Sequence, residues 1–77
     1  MHFSKRPLDL NLYKKYEIPQ QYSAYVYEYL NVEENQIDNI ESDLSSQGVK
    51  IFHSNMTRSQ KNLFNVEIIV ASMNFTF

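Results

Sequence analysis

The sequence predicts a small α+β domain in which one acidic helix packs on an antiparallel sheet, in the order β-α-β-β. Apolar residues recur at helical spacing between positions 33 and 47, and segments rich in aromatic and β-branched residues flank them. The 77 residues suffice for one domain with a small core. We therefore expect a single domain over 1–77, with an N-terminal arm at 1–18 and a compact core at 19–77.

The arm is compatible with two local structures. Alternating leucines predict a short extended piece that packs its leucines inward, whereas a helical turn over 9–16 would also place apolar residues at a regular spacing. Pro7 and Pro19 bracket the segment and bias each preceding residue toward extended geometry. We interpret it as an arm that adds an edge or a lid to the core. The alternating leucines are Leu8, Leu10 and Leu12.

The first core element, at 22–31, also fits two periods. As a strand it points Tyr25, Tyr27 and Tyr29 to one face, and as a helix over 19–30 it forms an apolar stripe. Aromatic side chains lose rotamer freedom in a helix, whereas tyrosine and valine both suit a pleated sheet. We therefore favour the strand.

The helix over 33–47 has signals at both ends. Asn31 fits an N-cap with Glu34 three residues later, a variant of the capping box. Gly48 fits the left-handed residue that follows many helix C-termini. The apolar stripe between these ends consists of Ile37, Ile40 and Leu44.

Two more strands are predicted after the helix. Residues 49–54 alternate, and 64–75 includes the apolar run 68–71 that is typical of a strand buried on both faces. The polar residues 55–62 predict a connection between them. One face stays apolar up to Phe77, and we expect this end to be covered or paired in a dimer, because an unpaired apolar edge promotes aggregation.

Residues 30–51, LNVEENQIDNIESDLSSQGVKI, resemble the second half of a winged helix-turn-helix domain. Leu30 and Val32 match its turn, the apolar stripe matches its recognition helix, and Gly48 matches the entry to its wing. This resemblance implies an alternative fold, with a helix at 19–30, a recognition helix at 33–47 and a wing at 49–75. An acidic recognition helix opposes the phosphate contacts that dominate DNA affinity. Such a domain is therefore expected to bind protein rather than DNA.

Charge is unevenly distributed along the chain. From Glu17 to Val49 there are seven acidic residues and no lysine or arginine. A solvated helix face explains this pattern, and so does a surface that binds a basic partner protein. The candidate partner-binding residues on the helix are Glu33, Glu34, Asp38, Glu41 and Asp43. The basic residues outside the segment are Lys5, Arg6, Lys14, Lys15, Lys50, Arg58 and Lys61.

Residue combinations typical of catalysis are nearly absent. The single glycine excludes a glycine-rich phosphate loop and a nucleophile elbow. His53 lies on a strand, where a structural role is the simpler interpretation, and the helix carboxylates lack calcium-loop spacing. We expect no enzyme activity, no metal and no cofactor. The lack of cysteine and of a signal-peptide pattern predicts a cytoplasmic protein.

Three functions follow as hypotheses. The first is a small interaction protein, an adaptor or inhibitor such as a phage- or plasmid-encoded modulator, which acts through the acidic helix surface or an apolar strand edge. The second is a nucleic-acid-binding protein, in which a tyrosine row stacks bases and a basic rim contacts phosphates. The third is a structural homo-oligomer that pairs its C-terminal strands. The residues of the second hypothesis are Tyr25, Tyr27, Tyr29, Lys14, Lys15, Lys50, Arg58 and Lys61.

Overall fold

The computed structural model describes residues 2–73, which form four strands and two helices. This confirms the predicted small α+β fold with an antiparallel sheet. The elements are β1 (His2–Pro7), α1 (Leu10–Lys15), β2 (Tyr22–Glu33), α2 (Glu34–Ser46), β3 (Lys50–Gln60) and β4 (Leu63–Met73).

The four strands form one sheet in the order β1-β2-β4-β3, and every neighbouring pair is antiparallel. Because β2 and β3 both run antiparallel to β4, they are parallel to each other, and α2 is the crossover between them. The C-terminal strand β4 therefore lies inside the sheet, covered by β2 up to Met73 and by β3 up to Ala71. The apolar strand edge that the first hypothesis invoked is not free in the described residues. Phe75 and Phe77 lie outside them.

Each face of the sheet carries one helix and one apolar cluster. On the α2 face, Ile40 and Leu44 pack against Val32 and against alternate residues of β4. On the α1 face, Leu8 and Ile18 pack against Ala24, Val26 and the intervening residues of β4. Ile68, Ile69, Val70 and Ala71 are all 0–2% exposed. The apolar run of β4 is thus divided between two cores, as predicted for a strand buried on both faces.

The arm forms both an edge strand and a small helix. β1 pairs with β2, and α1 adopts the helical alternative, with Asp9 as the N-cap that accepts a hydrogen bond from the Leu12 amide at 3.0 Å. The Tyr13 hydroxyl donates to the Tyr22 carbonyl at 2.9 Å and accepts from the Ala24 amide at 3.0 Å, which fixes α1 to β2. The inward packing predicted for the alternating leucines is wrong for Leu10, which is 67% exposed.

A bulge in β2 decides which residues meet α2. Tyr29 pairs with Val66 and Val32 with Phe64, so Leu30 and Asn31 both oppose Asn65. Asn31 takes a φ of 59°, in the left-handed region that asparagine tolerates better than most residues. The extra residue moves Val32 from the α1 face to the α2 core.

The helix prediction is confirmed, but its N-cap is not the predicted residue. The predicted N-cap, Asn31, belongs to the bulge in β2, so Glu33 occupies the N-cap position instead. The Glu33 side chain makes no capping hydrogen bond. At the other end, Gly48 has a φ of +81° and its amide donates to the Ser45 carbonyl, as predicted for the residue past the C-cap.

The polar connection predicted over 55–62 is wrong. β3 continues through these residues to Gln60, and only positions 61 and 62 form the turn to β4. Polar residues suit this strand because it is an edge strand, whose side chains from Ser54 onward are exposed. A further irregularity at Phe52 turns His53 to the opposite face of the sheet from Ile51. The predicted alternation placed these two residues on the same face, and it is wrong here.

The winged-helix alternative is also wrong, because it required a helix over 19–30, where β2 begins at Tyr22. Neither α1 nor α2 is long and apolar enough to cross a membrane, and no other helix occurs between residues 2 and 73.

Candidate protein-binding surface

The acidic residues of α2 fall on two sides of the helix. Glu34, Asp38 and Glu41 follow a spacing of four and three residues, which aligns them along one flank. This flank borders β3, because the Glu41 carboxylate accepts a hydrogen bond from the Ser54 hydroxyl at 3.3 Å. Asp43 lies on the opposite side, near Tyr29 of β2. We call Glu34, Asp38 and Glu41 the acidic flank.

The acidic flank makes no ion pair with any residue between 2 and 73. The salt bridges found in that range join Arg6 to Glu28 at 4.0 Å and to Glu67 at 3.8 Å, on the α1 face of the sheet. Glu28 and Glu67 are directly opposed on neighbouring strands, so Arg6 offsets the repulsion between them. The basic residue of β3 nearest the turn, Arg58, stacks over the Phe64 ring at 5.6 Å instead.

The tyrosine row faces α2 and belongs largely to the core. Tyr25, Tyr27 and Tyr29 are half-buried and pack against the α2 cluster. Lys5 of β1 places its Nζ 4.3 Å from the Tyr25 ring centroid, so one ring already holds a cation of this chain. Burial raises the pKa of Tyr29 above its ordinary value of 10.0, and the neighbouring Tyr27 and Asp43 raise it further.

Phe3 is the functional candidate that the sequence did not indicate. It is 53% exposed, and its ring centroid lies 5.4 Å from that of Tyr27 and 4.9 Å from that of Tyr29. With Leu44 and Gln47 these rings line an open groove of about 370 Å³ between β1 and α2. Phe3 contacts the tyrosines only because β1 pairs with β2. The spacing of residues in the sequence does not predict that pairing, so this contact could not be predicted from the sequence.

The basic residues do not form one rim beside the tyrosine row. Lys14 and Lys15 end α1, and Lys50 begins β3 on the same face, above Phe52. Arg58 and Lys61 lie at the other end of β3. The side chain that does lie over the row is Lys5. A strand of nucleic acid stacked on the tyrosines would therefore meet few of the cations named with them.

His53 is half-buried and stacks on Tyr16, with ring centroids 5.1 Å apart. This contact joins β3 to the end of α1 and accounts for the histidine by packing. Between residues 2 and 73 there is no group of three or more histidine, aspartate or glutamate side chains placed to hold a metal ion.

The outer edge of β3 is the second notable surface. In the described chain, β3 pairs with β4 on one side and with no strand on the other. From His53 to Arg58 the register with β4 is uninterrupted, and irregularities bound this stretch at Phe52 and Ser59. A regular edge strand presents backbone donors and acceptors that another strand can use. This edge borders the acidic flank.

No protein-family model matches this chain, and no curated protein or solved structure matches it either.

Proposed function

We propose that this protein is a non-enzymatic interaction protein, an adaptor or inhibitor, that binds a basic surface of another protein through the acidic flank of α2. The observation that carries the proposal is the alignment of three carboxylates that have no cationic partner among residues 2–73. Carboxylates left unpaired on one flank attract a basic partner, raise its association rate and orient it.

The support of the helix by the sheet favours the same proposal. Ile40 and Leu44 are 8% and 2% exposed, so α2 is held on the sheet by its apolar side and presents the acidic flank from a fixed position. A fixed helix loses little conformational freedom when a partner binds, and this improves the affinity of each contact.

The proposal is tested by capture of partners from extracts of the cell that produces the protein, with identification by mass spectrometry. The immobilised chain is compared with a flank variant, Glu34→Gln, Asp38→Asn and Glu41→Gln. A control variant, Glu17→Gln, Asp43→Asn and Glu67→Gln, removes the same amount of charge from other places. Amides replace carboxylates of nearly the same shape, so both variants are expected to fold.

A protein that the wild-type chain and the control capture, and that the flank variant loses, supports the proposal. Its binding should also weaken as salt is added, because salt screens the attraction between exposed charges. The screening length is about 8 Å at physiological ionic strength and becomes shorter as the salt concentration rises. If every captured protein binds the flank variant as well as the control, the acidic flank is not the binding surface.

A further inference from the structure

The two edges of the sheet differ in how well they are protected against strand pairing. The edge strand β1 carries Lys5, Arg6 and Pro7 in succession, and charges and proline both discourage strand addition. β3 carries one arginine or lysine in its regular stretch from His53 to Arg58, and the side chains from Ser54 onward are exposed. This stretch of six residues spans about 20 Å, long enough to template another strand.

We propose that the outer edge of β3 pairs with β3 of a second copy, in antiparallel orientation about a two-fold axis at Met56. The two sheets then join into one sheet of eight strands, with both α2 helices on the same face. Directly opposed residues of an antiparallel pair lie on the same face of the sheet. A two-fold axis must therefore pass between the two copies of one residue, which oppose each other. Met56 is the exposed apolar residue of β3, at 50%.

A two-fold axis at Met56 gives several exposed side chains a partner in the second copy. The two methionines oppose each other and shield each other from water. Ser54 opposes Arg58 of the second copy, and Ser54 lies within hydrogen-bond distance of Glu41. Arg58 makes no salt bridge within residues 2–73, and neither does Glu41, so two symmetric Arg58–Glu41 pairs form across the interface.

The acidic flanks tolerate this arrangement because the helices stay apart. α2 packs across β2, β4 and β3, so the two helices are separated by about three strand spacings, roughly 14 Å. Glu34 and Asp38 of both copies border one groove above the joined strands instead of touching. The dimer is argued from the β3 edge and from Glu41 beside it, and it leaves Glu34 and Asp38 unpaired for the proposed partner. It does not depend on that partner.

A single cysteine tests the register directly, because the chain has none of its own. In the Met56→Cys variant the two opposed Cα atoms lie about 4.5–5.5 Å apart, within the range that a disulfide spans. The matched control is Gln60→Cys, whose two copies lie about 27 Å apart in the same register. Both positions are exposed, and circular dichroism checks that each variant is folded.

We expect mild oxidation to convert Met56→Cys, but not Gln60→Cys, to a covalent dimer. Light scattering of the unmodified chain at high micromolar concentration should report twice the monomer mass. Equal cross-linking of the two variants would indicate random collision, and a monomeric mass would show that the edge stays unpaired. Either result overturns the proposal, and neither bears on partner capture, because no other protein is present in the assay.

A charge swap provides a second test with the natural methionine in place. Arg58→Glu or Glu41→Arg alone should weaken dimerisation about tenfold, because each change removes both symmetric pairs. The double variant should recover most of that loss in sedimentation equilibrium. If the single variants dimerise as well as the unmodified chain, or the double variant recovers nothing, the Met56-centred register is wrong.

Discussion

Truncation of Leu44 to alanine tests whether α2 is held in place by the core beneath it. Leu44 is 2% exposed and lies in the cluster with Val32, Ile40 and the inward residues of β4. Alanine removes its apolar contacts and leaves a cavity that neighbouring strands are too constrained to fill. A helix of 13 residues is marginal by itself in water, so it depends on this packing.

The magnitude follows from the burial of this side chain. Replacement of a fully buried leucine by alanine costs about 2–5 kcal/mol, and we expect about 3 kcal/mol here. A domain of this length has a total stability of about 4–12 kcal/mol, so the loss is a large fraction of it. The midpoint of thermal unfolding should fall by about 12–24 °C, since 1 kcal/mol corresponds to about 4–8 °C in small domains.

The assay is urea and thermal unfolding followed by far-ultraviolet circular dichroism. Leu10→Ala is the matched control, because it makes the same chemical change at a side chain that is 67% exposed. We expect the control to change the free energy of unfolding by less than about 0.5 kcal/mol. A loss below about 1 kcal/mol for Leu44→Ala, or equal losses for both variants, would contradict the packing described for α2.

Three further predictions concern backbone conformation and pH. Asn31→Val should cost about 1–2 kcal/mol in urea unfolding, because a β-branched residue is strained at a φ of 59°, whereas Asn31→Gly should be nearly neutral. Gly48→Ala should cost about 1 kcal/mol because its φ of +81° is strained for alanine, although no atom lies within 4 Å of the added Cβ. Gly48→Asn should cost less, and equal costs would argue against left-handed backbone strain at this position. The raised pKa of Tyr29 means that the unfolded chain releases the phenolic proton more readily than the folded chain does. The contribution of Tyr29 to stability is therefore complete below pH 10 and is lost as pH rises through the folded-state pKa. Urea unfolding of Tyr29→Phe at pH 8 to 11 should therefore show a smaller alkaline loss of stability than the unmodified chain, and identical pH profiles would contradict the shift.

The acidic residues of the candidate surface were visible in the sequence, but their arrangement was not. Helical spacing alone aligns Glu34, Asp38 and Glu41, yet only the packing of Ile40 and Leu44 on the sheet decides that this side borders β3. The same packing turns Asp43 toward Tyr29. Phe3 joined the tyrosine row only when β1 paired with β2.

The local elements of this protein were determined by its sequence. The apolar stripe of α2, the glycine that follows it and the apolar run of β4 depend on residues close in the chain, and local backbone preferences act at that range. The order of the strands, the bulge at Asn31 and the length of β3 were decided only by tertiary structure. Each depends on pairing with β4, which lies far from β2 in the sequence. A polar stretch such as 55–60 becomes a strand because β4 supplies its hydrogen bonds, and no pattern within the stretch encodes that partner.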